Sequence, residues 1–349
     1  MSSTPSVESI RQVPKIELHL HLETSLRLRR LALHHRGAGR AVRQGGHHPV
    51  TTEPHLVADP GKFVGYDRLR RLRYASRAGK ISDDLYSVAN IEEITTELLA
   101  EAAGHSLRYV EIRVGGRQGF TLLGTRRMLE AMDRARVGAQ TALGIRSGVL
   151  LTIVRERGPE EAEQRVREAI DCRDCGVVGV DLAGDEQNYP PALFARTLTL
   201  AREAGLGITV HAGEFAGPAS IWTALYQLGA LRIGHGVRAI EDPDLLAYLR
   251  DHHIALEICP TSNLRLGLSS SIRAHPVRQL VEAGVPVTIN SDDPVLLGTD
   301  ISRELHIVAR ALGLSLEGVR QFMVTAARAA FLPLQQRADL EEIVGSPLS

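Results

Sequence analysis

The sequence predicts an α/β fold: a (β/α)8 TIM-type barrel with an irregular or helical insertion after its first strand. Three observations carry this. Short β-branched runs alternate with longer stretches of helical periodicity, the pattern of parallel βα units. Eight such runs can be found, the number that closes a barrel. The polar residues with chemical potential fall where the runs end, on the rim where barrel enzymes carry their sites. An open doubly wound sheet is the competing fold and shares the first observation.

The first run is Lys15–Leu20. Residues 31–60 follow as an irregular excursion rich in Gly, His, Arg and Pro. His34, His35, His47, His48 and His55 lie there, and read as loop residues rather than a metal site. Phe63, Tyr66, Leu69 and Leu72 then form an apolar stripe at a spacing of three. It can line a substrate mouth or be ordinary helix packing. Glu92–Ala103 has helical spacing and leads into the second run, Arg108–Val114. The remaining runs are Gly148–Val154, Val177–Leu182, Gly207–His211, Arg232–Val237, Ile254–Ile258 and Val285–Asn290. Helices are expected at Pro159–Cys172, Pro190–Ala204 and Pro243–Asp251. Each opens on proline, which suits a first helical turn. The resulting division is an N-terminal tail (1–13), one metal-dependent barrel domain (14–335, with 31–85 as insertion or lid) and a C-terminal tail (336–349).

Composition excludes several functions. With 349 residues, 44% of them hydrophobic, the chain can bury a large core. Lys+Arg and Asp+Glu are 41 each, so nothing favours a phosphate backbone or an anionic membrane. Only 4% of residues are aromatic, which leaves little for base stacking, so nucleic acid is not an expected partner. No run reaches about 18 apolar residues, so no membrane span is expected. The first fifteen residues show no signal peptide, and a cytoplasmic location is the expectation. Cys172, Cys175 and Cys259 are too few for a disulfide framework. The C-x-x-C pair reads as two thiols near a helix end rather than half of a zinc site.

The chemistry sits at the strand ends. His19 and His21 are two apart on the first run, so both imidazoles face the same way. His211 and Glu214 end the fifth run, His235 the sixth, and Asp292 and Asp293 follow the eighth. Each cluster alone could be an ordinary hydrogen-bonded strand end; together they place several polar groups on one rim. Three histidines and an aspartate (His19, His21, His211, Asp292) suit Zn²⁺ or a similar divalent ion. Such an ion with an open position generates a hydroxide nucleophile at neutral pH. Glu214 then serves as acid or base. His235 and Asp293 can orient the water or take its proton. A binuclear site bridged by a modified lysine has no candidate, because no lysine follows Lys80. One metal is therefore expected, not two.

These motifs, in this order, resemble the adenosine/adenine deaminase family of the amidohydrolase superfamily. The matching pieces are ELHLHLE (Glu17–Glu23), VDLAGDE (Val180–Glu186), HAGE (His211–Glu214), RIGHGVRA (Arg232–Ala239), CPTSN (Cys259–Asn263) and NSDDP (Asn290–Pro294). The resemblance spans roughly residues 14–332 and is closest to bacterial adenosine deaminases. It implies zinc on His19, His21, His211 and Asp292, with Asp292 among the catalytic groups. It implies that Glu214 protonates the ring nitrogen beside the attacked carbon, and that His235 helps activate and hold the hydroxide. It also implies substrate contacts by Glu23, by the Gly184 backbone N–H and by Asp293 to the imidazole part of a purine. The reaction would be hydrolytic loss of an exocyclic amine from adenosine or 2′-deoxyadenosine.

Some positions depart from that pattern. Glu23 stands where adenosine deaminases carry an aspartate that meets the ribose, and Thr24 where they carry glycine. Glu23 resembles adenine deaminases more. The stretch Val295–Asp300, however, lacks the aromatic-glycine pattern associated with them. Adenine and aminodeoxyfutalosine therefore stay open as substrates. So do a different metal-dependent hydrolase on the same barrel and a non-catalytic purine binder. The oligomeric state is not readable.

Overall fold

The computed structural model describes residues 4–22, 86–115 and 117–346. Glu23, Thr24, the 31–60 excursion and the stripe at 63–72 lie outside the described residues.

Eight strands form one sheet in sequence order: β1 (Lys15–His21), β2 (Leu107–Val114), β3 (Arg146–Val154), β4 (Val177–Ala183), β5 (Gly207–Ala212), β6 (Arg232–His235), β7 (Ala255–Ile258) and β8 (Val287–Ile289). Every neighbouring pair from β1–β2 to β7–β8 is parallel. The sheet closes where β8 meets β1. A parallel bridge joins Leu20 and Asp292, with His21 N–H donating to Asp292 O at 2.8 Å and Asp292 N–H to His19 O at 3.0 Å. Leu18 N–H adds a bond to Asn290 Oδ1 at 2.9 Å. All eight predicted strands are present, and the closure decides for the barrel over the open sheet.

The strands are buried on both faces, which is why they read as β-branched apolar runs rather than alternating ones. The helices bury one face against them. Val88–Gly104 is capped by Ser87, whose side chain accepts from Asn90 N–H. Pro243–Asp251 is capped by Asp242, which accepts from Asp244 and Leu245 N–H, with proline in the first turn as predicted.

The differences from expectation have local causes. The sixth run stops at His235, because His235 and Gly236 both take positive φ (59° and 66°). The stretch from Pro190 divides into a 3₁₀ turn, Pro191–Phe194, and the helix Ala195–Glu203. Both ends expected as tails carry helix. Val7–Gln12 buries Ile10, and Lys15 Nζ gathers the carbonyls of Ile10 and Val13 at 2.7 and 2.6 Å. Leu334–Gly345 buries Leu340 and Val344. Their apolar residues are too few for periodicity to reveal a helix that tertiary contact completes.

The barrel interior carries several buried charged side chains. Glu257 on β7 accepts from Arg232 Nε at 2.7 Å and Thr209 Oγ1 at 3.0 Å, and pairs with Arg113. Arg232 also pairs with Glu111, and its guanidinium lies 3.6 Å over the Phe331 ring. These side chains are buried, so each charge depends on its partners; breaking one such pair typically costs about 3–5 kcal/mol. No helix among the described residues is long and apolar enough to cross a membrane.

Candidate active site

The strand ends bring four imidazoles together. His19 and His21 leave β1, His211 leaves β5 and His235 ends β6. The His19 ring centre lies 5.3 Å from His21, 4.6 Å from His211 and 4.9 Å from His235. Asp292 Oδ1 stands 3.6 Å from His19 Nε2 and 3.5 Å from His21 Nε2. Closure of the barrel does this directly, since the bridge at Leu20 seats Asp292 between the two histidines. Ligand atoms of His19, His21 and His211 fall within 4.8 Å of one another, as do those of His19, His235, Cys259 and Asp292.

Backbone conformation serves this crowding. Asp292 and His235 are two of the four non-glycine residues with positive φ among the described residues (62° and 59°). That is a strained region for both, of a kind common at functional sites. Gly234 has the opposite role. A Cβ there would stand 3.2 Å from His211 Cα and 3.3 Å from His19 Cε1, so glycine lets the two rings approach.

Hydrogen bonds behind the rings set which nitrogen faces inward. His19 Nδ1 lies 2.9 Å from Glu257 Oε2, and His211 Nδ1 lies 2.9 Å from Asp181 Oδ1. An ionised carboxylate only accepts, so each Nδ1 carries the hydrogen and each Nε2 turns a lone pair to the centre. Burial, then the Arg113 guanidinium and the neighbouring histidines, hold His19 well below the ordinary imidazole range. For Asp181, burial pulls the carboxyl upward, but His211 and Arg113 outweigh it and leave it lowered. The His19 ring is therefore neutral, with the Glu257 carboxyl group behind it. His19 Nε2 is buried and makes no hydrogen bond among the described residues. An orphaned lone pair amid two more imidazoles and a carboxylate fits a divalent cation, which takes neutral imidazole nitrogens.

Glu214 is buried, with Oε1 3.6 Å from His235 Nε2. Its loop is clamped by one carboxylate. Glu186 accepts from the backbone N–H groups of Gly213 (2.6 Å), Glu214 (3.2 Å), Phe215 (2.9 Å) and Ala216 (3.0 Å). Arg155 braces the same loop by donating to His211 O at 2.7 Å. Asp293 is buried beside Asp292 at the start of the turn Pro294–Leu297. Gly184 follows β4 with φ 116°, and a Cβ there would come within 2.1 Å of Glu156 Oε2. Only glycine suits that position.

The predicted residues His19, His21, His211, Glu214, His235 and Asp292 are thus gathered at one rim, with Asp293 next to Asp292. Gly184 lies on the neighbouring strand end, and Glu23 is outside the described residues. Sequence reasoning assigned no role to Asp181, Glu257, Glu186, Arg155 or Asn263. Asp181, Glu186 and Asn263 lie inside quoted motifs, which was the available signal, but their partners are far away in sequence. Cys259 also borders the cluster, and burial pushes its thiol far up.

Comparison with known proteins gives the chain its family. Residues 14–346 match the adenosine deaminase family. An adenosine deaminase from Shigella dysenteriae serotype 1 is 34% identical over 341 residues, covering 96% of this chain and 98% of that one. The structure of an amidohydrolase from Burkholderia ambifaria with bound Zn superposes with TM-score 0.82 at 24% identity, covering 99% of this chain and 93% of that chain. That of adenine deaminase from Arthrobacter aurescens gives 0.79 at 24%, covering 95% and 98%. At that identity the two structures speak for the barrel, while the family match covers nearly the whole chain. The chain therefore belongs to the adenosine deaminase family of hydrolytic deaminases.

Proposed function

We propose that this deaminase acts on adenosine and 2′-deoxyadenosine, releasing inosine or deoxyinosine and ammonia, with one zinc ion held by His19, His21, His211 and Asp292. The observation that carries the reading is the buried Glu214 carboxyl facing the four-histidine cluster beside His235. When bound, zinc lowers the pKa of its water from 15.7 toward about 7 and so supplies a hydroxide nucleophile. The chain's own residues do the rest. Glu214 gives a proton to the ring nitrogen beside the attacked carbon, so negative charge does not build up there. His235 holds the attacking oxygen in line. Asp293 accepts from the imidazole edge of the purine, and Gly184 N–H donates to a ring nitrogen. Glu23 meets the sugar. The 34% relative, named an adenosine deaminase and aligned end to end, supports adenosine over other amines.

Ammonia release from zinc-loaded enzyme tests this, with adenosine, 2′-deoxyadenosine, adenine and aminodeoxyfutalosine at equal concentration. Adenosine and 2′-deoxyadenosine are expected to be the best substrates. A clear preference for adenine or aminodeoxyfutalosine would overturn the nucleoside assignment and point to Glu23, where the chain departs from the aspartate of adenosine deaminases.

The backing carboxylates give a second expectation. Asp181→Asn keeps an acceptor for His211 Nδ1 but removes its charge. Loss of such a partner typically weakens metal binding about 10–100-fold. Chelator competition is the measurement, and an unchanged zinc affinity would argue against His211 as a ligand oriented by Asp181.

A further inference from the structure

Three buried polar groups behind His235 form a chain that begins on a backbone amide. Val277 N–H donates to His275 Nδ1 at 3.0 Å. His275 Nε2 lies 3.1 Å from Asn263 Oδ1, and Asn263 Nδ2 lies 3.3 Å from His235 Nδ1. Asn263 and His275 are 1% and 2% exposed, so water does not compete for these bonds.

A backbone N–H can only donate, which makes the chain readable in one direction. His275 Nδ1 must accept. Burial brings the His275 pKa down to about 4, so the ring is neutral at pH 7 and its single hydrogen sits on Nε2. That hydrogen goes to Asn263 and requires the amide oxygen there. The amide nitrogen then faces His235 Nδ1, which must accept in turn. The hydrogen of a neutral His235 is left on Nε2, the atom nearest Glu214. His19 and His211 are held the opposite way, because carboxylates back them.

We propose that Asn263 and His275 are positioning residues that fix the tautomer of His235, so that it enters the site as a hydrogen-bond donor while the other backed histidines enter as lone pairs. The proposal rests on the reading of His235 as part of the deaminase site. It gives one rim two functions for the same side chain. Imidazoles backed by carboxylates present acceptors suited to a cation. The imidazole backed by an amide presents a donor suited to holding the attacking oxygen and is kept from competing as a ligand.

The test is ¹H–¹⁵N correlation of the histidine side chains in the zinc-loaded enzyme, with His235 assigned by its absence in His235→Gln. The wild type is expected to show a protonated Nε2 and an unprotonated Nδ1 at His235. Asn263→Asp replaces the donor with an acceptor and is expected to move the hydrogen to Nδ1. With zinc content unchanged, kcat should fall at least about 100-fold; a reversed tautomer at a catalytic histidine can cost up to about 10⁴-fold. His275→Gln retains an amide donor for Asn263 and should keep both the tautomer and most of kcat, whereas His275→Leu should lose both. A wild-type spectrum with the hydrogen on Nδ1 overturns the proposal, as does Asn263→Asp with the tautomer unchanged. If Asn263→Asp does not fold, the wild-type spectrum and the His275 pair decide alone. Should the wild type turn over no purine substrate, the substrate reading fails while the spectrum still judges the tautomer.

Discussion

His211→Ala is expected to release the metal and with it essentially all activity. His211 is one of three histidines whose ligand atoms lie within 4.8 Å of one another, and alanine offers no donor to replace it. Without the ion, water keeps its bulk pKa of 15.7 rather than about 7, so the hydroxide fraction near neutrality falls by roughly 10⁸. The turnover loss should therefore exceed that of replacing a site residue that does not hold the metal. The carboxylate of Asp181 also loses its 2.9 Å partner and is left buried with fewer compensating bonds, so a loss of stability is expected as well. Metal analysis after gel filtration, paired with circular dichroism, separates the two effects. A folded His211→Ala protein that retains one zinc per chain would remove His211 from the ligand set.

Glu214→Gln is expected to give the contrasting phenotype. The amide is nearly isosteric and the Glu186 clamp acts on the backbone of the loop, so the fold and the metal content should remain. Only the proton donor is lost. General acid catalysis contributes typically about 10²–10⁴-fold, and kcat should fall by that amount with KM little changed. Steady-state kinetics on metal-verified protein is the check. A Glu214→Gln enzyme with near wild-type kcat would falsify the role assigned to this carboxyl. The two variants together distinguish a residue that builds the site from one that acts within it.

Much of the site was readable in sequence because a barrel turns linear order into position. Strand alternation placed His19 and His21 on one face, and the ends of β5, β6 and β8 supplied His211, Glu214, His235 and Asp292 to the same rim. Proline and capping residues marked the helix starts. What periodicity could not supply is who stands behind each ring. His19 and Glu257 are 238 residues apart, His211 and Asp181 are 30 apart, and nothing local links them. The helical ends were missed for a similar reason. Val7–Gln12 and Leu334–Gly345 carry few buried apolar residues and draw their stability from packing on the barrel.

Eight βα units, a neutral chain apolar enough to close them, and three histidines, an aspartate and a glutamate near the ends of the runs are all legible in the linear order of residues. Those follow from local spacing and residue chemistry. Tertiary structure decided which nitrogen of each imidazole faces the centre. That choice belongs to the partner across the barrel: a carboxylate behind His19 and His211, an amide behind His235. A hydrogen bond is set by register between distant strands, so it exists only once the barrel has closed.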